Sequence, residues 1–296
     1  MESKQAGPET HRRERRNSVF LPPASTPIPW PSQGARPHPM DHKDARDQNT
    51  APNELDILEM PVEALAAYWL SIKKLLDTKR DKALLAAEME NTGERFIRHL
   101  LDTAFSSLDQ ELVRELARAK SQTLLAEARR RFEMIRLALT GMAQNENPRL
   151  TFIRLSGLMG GTTLTEKRAF ELAYGLMSTV GEKDANLPLL LCVDHKQKDD
   201  RLAVKLLFYA LAARRNGKQA LNEYLPHLKP SPFAEGVSLA ADGFEAEFVS
   251  SHLAALRDHA LSGARRKMRM ATEMCLAIKA GLPYDDVFRV ARSFMV

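Results

Sequence analysis

Proline placement constrains this chain more than any other feature. Nine of its sixteen prolines lie in residues 1–52, and the other seven are spread over the 244 residues that follow. Proline has no amide hydrogen to donate and its ring clashes with the preceding helical turn, so a proline-dense segment cannot be helical. Residues 1–52 also carry little apolar material to bury, which predicts a disordered Pro-rich tail. The rest of the chain is free to be helical, and its pattern says that it is.

Pro61 suits a first helical position. After it Val62, Leu65, Trp69, Ile72 and Leu76 recur at intervals of three and four, a single apolar stripe. A second helical stretch is predicted over 81–101 with a break near Thr92-Gly93, and a third over 109–140. The third ends in the stripe Leu125, Ala128, Phe132, Ile135 and Leu139. Gly141 to Pro148 reads as a helix-breaking connector and the best subdomain boundary. Beyond a short apolar segment, 150–159, Thr163 and Glu166 have the spacing of a capping box opening a helix to about Val180. A helix over 199–215, a long connector over 226–243 and three closing helices near 244–262, 264–280 and 284–295 complete the reading.

Alternating β patterns are nearly absent. The expected class is all-α, a multi-helix bundle with helical subdomains at 53–145 and 149–296 behind the tail. The second subdomain is expected to end in a helix-turn-helix-like hairpin at 264–296.

Composition narrows function by exclusion. The formal charge of +5 divides into eight Lys/Arg against six Asp/Glu in the tail and 35 against 32 in the body. A body at +3 has no global footprint for a polyanion, so any such contact must be a local patch. No run approaches the roughly 18–20 apolar residues that cross a bilayer, and no apolar region follows the basic residues near the N-terminus. Two cysteines, Cys192 and Cys275, cannot frame a disulfide scaffold. Together these predict a cytoplasmic protein without a membrane role. Met40 is a second plausible start beside Met1.

The sharpest local spacing is near the C-terminus. Ala277, Gly281, Val287 and Val290, with Leu276 and Leu282, sit at the offsets that seat the second helix of a helix-turn-helix on the first. Over about twenty residues the segment resembles that DNA-binding motif. The resemblance makes Arg265, Arg266, Lys267, Arg269, Arg289 and Arg292 the candidate DNA contacts. Against it, Tyr284-Asp285-Asp286 puts two carboxylates at the start of the would-be recognition helix, where they also suit the helix dipole.

Other patterns are weaker. In the tail, Phe20, Leu21 and Trp30 are apolar anchors among prolines, able to dock in a partner's groove. Cys192, Asp194 and His195 bring thiol, carboxylate and imidazole together, though adjacency in sequence is not how nucleophilic pairs usually arise. Gly160-Gly161-Thr162-Thr163 lacks the Lys-Ser/Thr ending of a phosphate loop. Arg129, Arg130, Arg131 and Arg136 read as a solvated helix edge. The five body histidines include no i,i+4 pair, and Glu-x-x-His is absent.

No cofactor and no metal are therefore expected. The expected function is that of a non-catalytic regulatory or adaptor protein binding another macromolecule through its helical surfaces. The partner is expected to be another protein, with self-association or DNA as alternatives. An enzyme whose site is assembled from distant helices is the third class.

Overall fold

The computed structural model describes residues 55–79, 82–161 and 163–295. The tail, with Phe20, Leu21 and Trp30, lies outside them. Among the described residues the protein is all-α, with no strand. Eleven α-helices follow in chain order: α1 Val62–Lys79, α2 Lys82–Asn91, α3 Arg95–Ala104, α4 Gln110–Ala143, α5 Pro148–Leu158, α6 Glu166–Val180, α7 Leu187–Leu191, α8 Asp199–Asn216, α9 Pro232–Ala241, α10 Ala246–Lys279 and α11 Tyr284–Arg292.

Local chemistry sets many of the helix starts. Glu94 caps α3 by accepting from the amides of Phe96 and Ile97, and Asp109 caps α4 by accepting from Leu112. Asn147 followed by Pro148 opens α5, and Ser231 followed by Pro232 opens α9. That second pair corrects the expected connector over 226–243: its prolines announce a helix, because Pro232 takes the position whose amide is unused. The apolar segment after Pro148 is helical to Leu158, within α5, and Met159 is its cap.

The capping box expected from Thr163 and Glu166 does not form. The helix starts two residues later, with Thr165 as cap accepting from the amide of Arg168. Glu166 pairs with Arg149 instead, at 2.9 Å.

The largest correction concerns α10. Two helices were expected, split near Gly263, yet one helix of 34 residues runs through it. A glycine inside a helix costs about 1 kcal/mol relative to alanine. Here α10 packs along α4, also 34 residues long, so each rod extends about 51 Å. Burial of Leu253, Leu261, Ala264, Met268 and Ala271 along this interface outweighs one glycine.

Two apolar cores share these rods. The first gathers Trp69, Phe96, Leu100 and Ala117 with Met268, Met274 and Ile278 of α10 and Val287 of α11. The second gathers Met134, Leu139, Leu206, Phe208, Tyr209, Phe233 and Leu253. Along α4 the change from one core to the other falls between Phe132 and Met134. The end of α10 thus returns to pack with α1 and α3, the first helices of the chain. The expected boundary at 141–148 lies beyond this changeover, at the end of α4 and the start of α5. The apolar run at 189–193 is divided: Leu191 and Val193 are buried, while Leu189 is exposed on α7.

A groove between the two long helices as candidate functional site

Ion pairs hold α4 and α10 in register: Arg257 meets Glu133 at 2.7 Å, and two further pairs mark the ends of a groove. Arg114 meets Glu273 at 3.0 and 3.2 Å, and Arg129 meets Asp258 at 3.2 Å. Fifteen residues separate the two positions on each helix, 114 to 129 and 258 to 273, so the helices run antiparallel and in step. Four residues inward from Arg114 is Arg118, and four inward from Glu273 is Arg269. In the same count Gln122 stands level with Arg265.

Between these bridges lies a groove of about 760 Å³. Its floor includes Ala117, Leu125, Leu261 and Met268, and its polar walls carry Arg114, Arg118, Arg129, Arg265 and Arg269 against Asp258 and Glu273. Five cations face two anions, a local charge of +3 in a body whose whole excess is +3.

The two bridging arginines are committed. Donation of hydrogen bonds to Glu273 is the foremost cause raising the pKa of Arg114. At the other end Arg257 foremost, with Arg129, holds the Asp258 carboxyl below its ordinary range. Arg118, Arg265 and Arg269 are exposed, and none of them has an ion pair or side-chain hydrogen bond among the described residues. Three guanidiniums along one groove are a standing field for an anionic partner.

The six cations assigned to DNA contact are not brought together. Arg265 and Arg269 turn into this groove, and Arg266 is exposed away from its lining. Lys267 is buried, its ammonium donating to the carbonyls of Leu58 at 3.2 Å and Met60 at 2.8 Å; burial lowers its pKa. It tethers the segment before α1 to α10. Arg289 pairs with Asp286 at 2.8 Å, and Arg292 lies over the Phe288 ring at 6.0 Å.

The hairpin itself forms. Gly281 adopts φ +74 and the Leu282 amide returns to the Ala277 carbonyl at 3.1 Å, while Val287 is buried. The exposed side of α11 carries Tyr284, Asp285 and Phe288 together with Arg289 and Arg292.

The arginines read as a solvated edge of α4 are clamps. Arg131 is buried and donates to Glu127, Asp199 and the His195 carbonyl. Arg130 also reaches Asp199, at 2.8 Å, and Arg136 bonds Glu133 and Ser250. Only Arg129 keeps an exposed position, as part of the groove. Glu127 and Glu133 lie one turn away on α4, whereas Asp199 of α8 and Asp258 of α10 are distant in sequence, and no local pattern reveals those two.

His195 acts with Asp56 rather than with Cys192. Its Nε2 lies 3.2 Å from Asp56 Oδ2, its Nδ1 lies 3.3 Å from Asp194, and its ring stacks on Phe132 at 5.6 Å. Lys196 also stands 3.2 Å from Asp56 Oδ2. Burial raises the Asp56 carboxyl, but His195, the Leu58 amide and Lys196 outweigh it and bring the group to about 2. Asp56, Glu59 and His195 have oxygen and nitrogen atoms within 4.8 Å of one another. Asp56 and Glu59 approach different ring nitrogens, and the Lys196 ammonium already pairs with Asp56 Oδ2. The arrangement is an ion-pair staple between the segment before α1 and the loop before α8.

No family model, no curated protein and no solved structure matches this chain.

Proposed function

We propose that this protein is a non-catalytic adaptor or regulatory protein that docks an acidic macromolecular partner along the groove between α4 and α10. The observation that carries the reading is the set Arg118, Arg265 and Arg269, exposed over an apolar floor and without neutralising partners among the described residues. Unneutralised like charges on one face destabilise a fold slightly, and an anionic partner converts that cost into attraction. An apolar floor with a charged rim is also the usual anatomy of a docking surface.

DNA binding through the C-terminal hairpin has less support. Lys267 is spent on backbone carbonyls, Arg289 on Asp286, and the exposed side of α11 presents Asp285 and Phe288.

The test is a photo-crosslinking amino acid placed at Gln122, which is exposed in the groove, and at Lys183, which is exposed beyond α6. The full chain is irradiated in its source cells. A discrete adduct from Gln122 and none from Lys183 is expected. Equal yields from both positions, or none from Gln122, would overturn the reading.

A further inference from the structure

We infer that the occupant of this groove is an amphipathic α-helix of a partner protein, carrying glutamates or aspartates beside its apolar stripe. This rests on the docking reading above and goes beyond it in naming the partner's chemistry.

The groove is long, straight and two-sided. The stretch between the two bridging levels spans fifteen residues of each helix, about 22 Å, which is the length of four turns. Two antiparallel helices with an apolar floor between them accept a third helix by the same packing that joins them to each other. Leu125, Leu261 and Met268 supply that floor. The free cations fit the partner's flanks: Arg265 and Arg269 are one turn apart on α10, and Arg118 stands across from Arg269 on α4. A helix lying between them meets positive charge on both sides, so it needs carboxylates on both sides of its apolar stripe.

Other occupants fit less well. A nucleic-acid backbone would bring phosphates against Asp258 and Glu273 at the ends of the groove, and it would leave the apolar floor uncovered. A second copy using the same groove would set one surface of charge +3 against its duplicate, because a two-fold interface matches a patch with itself.

The probe is a phage-displayed library of peptides of roughly 20 residues. Leucine is fixed at helical spacing, and the flanking positions vary among Glu, Gln and Lys. It is offered to the full chain and to a full chain carrying R118E, R265E and R269E. The native chain should enrich Glu over Lys at the flanks about tenfold, and the reversed chain should enrich Lys. A milder chain with R118Q and R269Q should lose the preference without gaining the opposite one. Thermal melting confirms that each variant is folded. Equal recovery of Glu and Lys peptides by the native chain, or the same preference from native and reversed chains, would overturn the inference.

The two readings fail separately. A nucleic-acid adduct at Gln122 would end the helix proposal and leave docking in the groove standing. Absence of any adduct there would end both.

Discussion

Arg118 on α4 and Arg269 on α10 stand at the same level of an antiparallel helix pair, one turn inside the bridge from Arg114 to Glu273. Both are exposed, and neither has an acidic partner among the described residues. The same two helices carry paired arginines at both ends of the groove and unpaired ones between, so the pattern separates holding the fold from presenting a surface.

That separation is measurable. Replacing Arg118 by Glu sets a carboxylate level with Arg269, and an exposed pair of this kind contributes about 0.2–1 kcal/mol. Arg118→Glu should therefore melt at the same temperature as the native chain or slightly higher. Adding Arg269→Glu should remove the gain. A clear loss of stability in the single variant would mean that Arg118 has a structural partner.

Arg131 should behave in the opposite way. It is buried, and Arg131→Gln takes from Glu127 and Asp199 the cation they share, leaving Arg95 to the first and Arg130 to the second. With those two arginines still in place, the loss is that of hydrogen bonds to charged groups, about 1.5–3 kcal/mol, rather than that of a stranded buried charge. Denaturant unfolding of this variant should show a loss of that order, and a loss under 1 kcal/mol would contradict the assignment.

The Asp56 staple makes stability sensitive to acid in a defined window. Its folded carboxyl titrates at about 2 against an ordinary value of 3.8. A depressed folded value means that the contribution is fully present above about 4 and is lost as pH falls towards 2. The native chain should exceed Asp56→Asn in unfolding free energy at pH 6, and the gap should narrow steadily below pH 4. A gap that stays constant down to pH 2 would rule out the carboxylate as its source.

Gly236 on α9 is a packing requirement. A β-carbon there would meet Leu139 Cδ1 at 2.5 Å and Leu253 at 3.1 Å, both in the second core. Gly236→Ala must displace these leucines, and overpacking of this kind costs about 1–3 kcal/mol, offset by up to about 1 kcal/mol of helix preference because Gly236 lies inside α9. Gly263→Ala is the control: nothing lies within 4 Å of its position, and alanine favours the helix by up to about 1 kcal/mol. Chemical denaturation should move the two variants in opposite directions.

The fold was largely legible because its signals are local. The stripe from Val62 to Leu76 gave α1, and the stripe from Leu125 to Leu139 gave the core face of α4. Two local signals point the wrong way when taken alone. Prolines suggest a connector over 226–243, but Ser231 before Pro232 marks a helix start, and Gly263 suggests a break that the burial of α10 along α4 on both sides of it overrides. The groove was not legible at all. Arg118 and Arg269 become neighbours only through the register set by Arg114 with Glu273 and Arg129 with Asp258, and pairing between distant helices leaves no trace in spacing. For the same reason the clustered cations from Arg265 to Arg269 could not be divided beforehand into the buried Lys267 and the groove-facing Arg265 and Arg269.

The most direct test of the groove as the working surface combines the photo-crosslink at Gln122 with Arg118→Glu in the full chain. The substitution neutralises Arg269 from within and leaves the fold intact. The account predicts that the adduct falls to the level given by Lys183 while the melting temperature does not drop. An undiminished adduct from a folded Arg118→Glu chain would contradict it.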